Sequence, residues 1–206
     1  MDSDIENSYQ NFLERNKTFK HFGYDIDKER DAIISRADPI DEKILEIGTG
    51  KGYLTVALAA KGYSLSTLDI SQEEQKIAKS NIEYLHLSDK VEFYTGDACS
   101  LPFEKKSFHS IFCINTFHHI KDCFDVLSEF LRVCHQKGKI IISDFNDKGL
   151  SVVASIHKSE GRTHEAFRVP WMEMERFLKR AGFAVEFFET MHQKALIANK
   201  DKDGKQ

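Results

Sequence analysis

The stretch Leu45-Glu46-Ile47-Gly48-Thr49-Gly50-Lys51-Gly52 decides the fold of this chain. The apolar run Ile44 to Ile47 reads as a strand, and glycines at 48, 50 and 52 follow where a strand turns into a helix. Three glycines so close together carry an entropic cost that a plain turn does not require. The pattern is therefore a ligand loop, in which backbone amides at a helix N-terminus lie against a bound group. A dinucleotide fingerprint needs its third glycine one position later, where Tyr53 stands, and the spacing of a P-loop fails as well.

Working downstream, the loop opens a helix that ends at Gly62, and Leu65 to Leu68 is a second strand. Ser71 with Glu74 makes a capping box for a helix to about Leu87, and strands follow at Val91 to Tyr94 and Phe108 to Ile114. Cys123, Val126, Leu127, Phe130, Leu131 and Cys134 form an apolar helical stripe leading into a strand at Lys139 to Ser143. Repeated βα units of this length predict a parallel sheet covered on both faces. Pro170 opens a helix closed by Gly182, and strands at Ala184 to Phe188 and Ala195 to Ala198 are too close for a crossover, so they predict an antiparallel pair at one edge. The sum is an α/β chain with a doubly wound, seven-stranded sheet, mostly parallel with one antiparallel edge strand, and helices on both faces.

Upstream, Ile5, Tyr9, Phe12 and Phe19 recur at helical spacing, and a second helix is expected from an Asp27 cap to about Ala37. Residues 1–40 thus form a helical extension whose functional version is a lid carrying Tyr24, residues 41–199 the main domain, and 200–206 a disordered tail. Within the domain, 146–169 lacks clean periodicity and reads as an irregular insert. The 206 residues are 41% hydrophobic and 30% charged with a net charge of -4, a globular balance without the cationic field that nucleic acid or an anionic membrane requires. Cys99, Cys113, Cys123 and Cys134 form no CxxC pair and read as reduced residues of a cytoplasmic protein. No membrane span or signal segment is expected, and the chain is expected as monomer or homodimer.

The acidic residue, apolar residue and GxGxG supplied by Glu46, Ile47, Gly48, Gly50 and Gly52 resemble the first motif of class I S-adenosylmethionine-dependent methyltransferases, in their quinone-methyltransferase-like branch. The resemblance covers roughly Ile44 to Phe145 and implies a Rossmann-like fold with the loop, Thr49 included, around the methionine part of the cofactor and Glu46 near its amino group. Asp69 ends the second strand, where a carboxylate can accept from both ribose hydroxyls, and the resemblance gives it that role. It further implies Ile70 on the adenine face, Asp97 and Ala98 at the adenine edge, and backbone around Asn115 beside the methionine. S-adenosylmethionine is the implied cofactor and S-adenosylhomocysteine the product.

The acceptor side is read from polar residues at the carboxyl edge of the strands. His118 and His119 follow the fourth strand, and His157 and His164 lie in the insert; an imidazole can orient or deprotonate an acceptor, and Asp144 can orient such a base. His157, Glu160 and His164 are also metal-capable types, but no HExxH spacing joins them, so no metal is expected. The expected function is methyl transfer to a small molecule, with no nucleic acid or membrane partner. Two other readings stand beside it. An NAD-dependent oxidoreductase would use the same crevice, but the glycine spacing disfavours it. A non-catalytic adenosyl-cofactor-binding regulatory or assembly protein would have no need of the polar insert.

Overall fold

Short apolar runs bounded by turn residues become strands, and the amphipathic stretches between them become helices, in the computed structural model, which describes residues 3–161 and 166–200. Helices α1 (Ser3–His21) and α2 (Ile26–Ala37) precede β1 (Ile44–Ile47), α3 (Tyr53–Ala60), β2 (Leu65–Asp69), α4 (Gln72–Tyr84), β3 (Val91–Thr95) and β4 (Phe108–Ile114). Then come α5 (Cys123–Val133), β5 (Cys134–Phe145), α6 (Asp147–Ser159), α7 (Trp171–Arg180), β6 (Phe183–Glu189) and β7 (Gln193–Lys200).

The seven strands lie in the order β3-β2-β1-β4-β5-β7-β6. Every pairing is parallel except those of β7, which runs antiparallel to both β5 and β6 at one side of the sheet. Central strands carry unbroken apolar runs because both of their faces are buried. On β5, Ile140 and Ile142 face Val126, Leu127 and Phe130 of α5 and Met174 and Leu178 of α7, while Ile141 joins Ile33, Ile34, Leu54, Leu58 and Ile82 of the helices on the other face. The chain order reverses between β1 and β4, and ligands of open α/β sheets bind outside the strands' carboxyl ends at such a point. Register fixes what meets there. Ile47 is level with Leu68 and with Cys113, and Ile114 is level with Ser143, so Gly48, Asp69, Asn115 and Asp144 all leave the sheet along one edge.

Two local expectations are corrected. The cap of α2 is Asp25, whose side chain accepts from the Lys28 amide at 3.2 Å, and not Asp27. The segment expected to be irregular contains α6, capped by Asn146, whose Oδ1 accepts from Gly149 N at 3.0 Å. Gly149, Val153 and Ile156 are its buried residues, and the ion pair between Arg15 and Glu160 ties its end to α1. Of the tail expected at 200–206, Lys200 instead ends β7, paired with Phe183, and 201–206 lie outside the described residues, as does His164. Among the described residues no helix is long and apolar enough to cross a membrane.

Candidate active site

The loop after β1 is held from below. Gly48 has φ of +84° and donates to Leu68 O at 2.8 Å, and a Cβ there would lie inside van der Waals contact with Thr116 Oγ1 and 2.8 Å from its Cγ2. Only glycine fits that position. Thr49 is buried, its hydroxyl 2.6 Å from that of Thr67, so its side chain braces the loop. Gly50 is the opposite case: a Cβ there would meet nothing within 4 Å, because its outer side opens on the cleft. Gly52 sits at the head of α3 as its cap.

Glu46 lies beneath this loop, 2% exposed, with Oε2 accepting from Thr55 Oγ1 at 2.6 Å and Thr67 Oγ1 at 2.7 Å. Burial pushes its carboxyl up to about 7, against the pull of those two hydrogen bonds. Asp69 joins loop and strand. Its Oδ2 accepts from Gly50 N and its Oδ1 from Ser71 N, each at 2.8 Å, which leaves acceptor capacity on both oxygens. Ser71 caps α4 through Glu74 N, so Asp69 is not needed there.

A cleft of about 650 Å³ runs from Gly48 and Gly50 past Asp69 to Asp97 and Ala98. Ile70 stands on its wall with 73% of its surface exposed, an apolar side chain that a flat ring laid on it would cover. Asp97 Oδ1 accepts from Cys99 N at 2.8 Å, which fixes the turn and keeps the carboxylate beside the cleft. Asn115 closes the near end in a left-handed conformation, φ +55°, with its amide donating to Ser143 O at 2.8 Å. Its Oδ1 is buried without a hydrogen-bond partner among the described residues. The orphaned Asn115 Oδ1, the open acceptor capacity of Asp69 and an exposed isoleucine around one elongated cleft fit an adenosyl ligand.

A second cavity of about 250 Å³ adjoins the first, sharing Gly48, Gly50 and Asn115 with it. His118, His119 and His157 all line it. His118 is 3% exposed and Asp144 1% exposed; Nδ1 lies 2.6 Å from Asp144 Oδ1, and the His118 amide donates to Asp144 Oδ2 at 2.9 Å. The carboxylate thus accepts from Nδ1, which makes Nε2 the basic nitrogen of the neutral ring. His119 packs its ring on that of His118 at 3.9 Å, and His157 reaches the wall from the last turn of α6. Tyr24 is buried at the same cavity, its hydroxyl accepting from Asn115 Nδ2 at 3.3 Å and from Gln193 Nε2.

Sequence reading missed Arg30 and Tyr53, which also line this cavity, and the buried pair Glu29 and His192, 2.9 Å apart, which pins α2 to the turn between β6 and β7. Charges on a helix such as Asp27-Lys28-Glu29-Arg30 read as a solvated face, and no spacing signal marks which of them turn inward.

A family model described as a methyltransferase domain matches residues 45–142. An O-methyltransferase of Aspergillus nomiae is 28% identical, the match covering 88% of each chain. The 27-O-demethylrifamycin SV methyltransferase of Amycolatopsis mediterranei is 26% identical over 74% of this chain, which spans only 57% of that protein. Among solved structures, one described as a putative S-adenosylmethionine-dependent methyltransferase from Methanococcus maripaludis superposes with a TM-score of 0.69 at 22% identity, over 97% of this chain and 95% of that one.

Proposed function

We infer that this chain is a class I S-adenosylmethionine-dependent methyltransferase and propose that it methylates a hydroxyl of a small molecule, with His118 as the base and Asp144 as its orienting partner. The observation that carries the reading is His118, held by Asp144, on the wall of the cavity that shares Gly48, Gly50 and Asn115 with the cofactor cleft. When bound, S-adenosylmethionine supplies a methyl group already activated on a sulfonium, so the protein's task is alignment, exclusion of water and removal of one proton.

Each task has its residues. Asp69, Ile70, Asp97 and Ala98 would hold the adenosine, and Glu46, Gly48, Gly50 and Asn115 the amino-acid part. Phe19, Tyr24, Ile26 and Phe145 wall the acceptor space and exclude water, with α1 and α2 as a cover clasped by Arg15 and Glu160. Asp144 accepts from Nδ1 of His118, so Nε2 takes the acceptor's proton and the resulting imidazolium is stabilised by the carboxylate beside it. His119 and His157 contact the acceptor in this reading and do not carry the proton. The cytoplasm suits its four free cysteines, of which three are buried.

Two measurements test the cofactor half. Titration calorimetry is expected to show S-adenosylhomocysteine binding and NAD ignored; NAD bound in preference would sink the proposal. Asp69→Ala is expected to weaken S-adenosylhomocysteine binding by about 1 to 3 kcal/mol, since the ribose loses a charged acceptor and the Gly50 amide its anchor. An unchanged dissociation constant would place the ribose elsewhere. The acceptor half is tested by screening small hydroxyl compounds for S-adenosylhomocysteine release.

A further inference from the structure

His118 and Phe145 line the inner cavity and also an outer one of about 510 Å³, which opens on the side of α6, α7 and the turn between β6 and β7. A small molecule of one or two rings fits such a volume. Its other walls have no part in holding the cofactor. Phe145, Phe167 and Trp171 give it aromatic surface, and Phe167 and Met191 stand there 54% and 69% exposed. The Phe167 amide donates to His118 O at 2.8 Å, so the wall that carries Phe167 and Arg168 is tied directly to the proposed base. Exposed rings around one cavity favour a flat, apolar body.

The charges on this cavity are not equivalent. Lys194 is half-buried on β7, level with Asp144 of β5 and Glu189 of β6, yet among the described residues it forms an ion pair with neither. Its Nζ lies instead over the rings of Phe187 at 5.2 Å and Trp171 at 5.8 Å. Lys148 and Arg168 add two exposed cations, and neither enters an ion pair among the described residues. Three carboxylates line the same space. Asp144 is committed to His118 and to two backbone amides. Asp147 stands in the first turn of α6, where the helix N-terminus already favours a negative charge, and Glu189 is exposed to water. Of the charges not already partnered, the least exposed is therefore the Lys194 ammonium, and a partly desolvated charge gains most from an anion.

We propose that the acceptor is an aromatic hydroxy acid: its ring lies against Phe145, Phe167 and Trp171, its hydroxyl reaches His118, and its carboxylate is taken by Lys194 with help from Arg168. The inference rests on the methyltransferase reading and names the acceptor class for the same base. An aliphatic alcohol would leave the three rings partly wetted, and a neutral phenol would leave Lys194 without a counter-ion, so each is the poorer ligand.

Trp171 is the single tryptophan of the chain and lies on this cavity, so its fluorescence reports occupancy whether or not turnover follows. The probes are para-hydroxybenzoate, para-hydroxyphenylacetate and para-hydroxyphenylpropionate, each against its neutral amide, titrated into protein saturated with S-adenosylhomocysteine. At least one acid is expected to change the Trp171 emission and to bind roughly ten- to hundredfold more tightly than its amide, the span of charge-assisted hydrogen bonding. Lys194→Gln is expected to remove that preference while leaving the amide's affinity unchanged, and Arg168→Gln to reduce it by less. Both variants should bind S-adenosylhomocysteine as wild type does, which shows that they are folded. Acid and amide bound equally by wild type, or the preference kept in both variants, would overturn the proposal. Tighter binding of tyramine, in which an ammonium replaces the carboxylate, would overturn it by assigning the cavity to Asp147 and Glu189. No change in emission with any probe would overturn it as well. Failure of wild type to bind S-adenosylhomocysteine at all would instead remove the methyltransferase reading on which the acceptor class rests.

Discussion

Gly48→Ala is expected to lower the affinity for S-adenosylhomocysteine by about a hundredfold or more, roughly 2.7 kcal/mol. An alanine at φ +84° is strained by about 1 to 3 kcal/mol wherever it occurs, and here its methyl also strikes Thr116. Thr116 follows Asn115, so the displacement passes directly into the wall of the cleft. Gly50→Ala is the control. It shares the strain of a positive φ (+49°) but its methyl meets no protein atom, so the fold should be disturbed less while the ligand is crowded. Thermal melts should therefore separate the two, with Gly48→Ala lowered by about 2–4 °C for each kcal/mol of strain and Gly50→Ala moved less. Adding Thr116→Ala should recover part of the Gly48→Ala loss, because the atoms struck first are gone. Wild-type affinity in Gly48→Ala would mean that the loop does not shape the cofactor site.

The parts of this architecture that were legible in the sequence are those whose signal is local. The loop from Gly48 to Gly52 announces itself because positive φ and close approach admit few other residues, and the strands because burial on both faces forces unbroken apolar runs at Ile111 to Ile114 and Ile140 to Ile142. The pair of strands at the end of the chain was legible from loop length alone. Helix α6 was not, because Asn146-Asp147-Lys148-Gly149 has the composition of a turn and Val152-Val153 that of a strand. Its helix is decided by packing, through Val153 and Ile156 inside and Arg15 against Glu160 outside.

The site divides in the same way. Asp69, Asp97 and Asn115 each follow a strand, so their place at the carboxyl edge can be read from chain order. Asp144 is placed at that edge by the same logic, but its contact with His118 depends on the register of β4 with β5, which the sequence does not state. Arg30 and Tyr53 come from elements before and after β1 and line one cavity because α2 packs across α3. Such convergence has no sequence spacing to betray it.

The largest effect on turnover is expected at the His118 and Asp144 pair. His118→Gln, which keeps the side chain's bulk and a donor toward Asp144, should retain S-adenosylhomocysteine binding and lower kcat by about a hundred- to ten-thousandfold on an acceptor found by screening, the range for loss of a general base. The pH–rate profile of the variant should differ from that of wild type, because the variant has no base at this position. Asp144→Asn should act through His118. The carboxylate takes the His118 amide, the imidazole Nδ1 and the Phe145 amide, and an amide in its place cannot accept all three. Its NH2 group facing the ring would favour the tautomer with the proton on Nε2, which cannot accept one from an acceptor, so kcat should again fall by about a hundredfold or more. His118→Ala should regain activity when free imidazole is added, since the buried space left by the ring admits it. A purely structural pair would give low stability, an unchanged pH profile and no rescue. Full turnover in His118→Gln would remove the histidine from the chemistry and leave proton removal to His119, His157 or the acceptor itself.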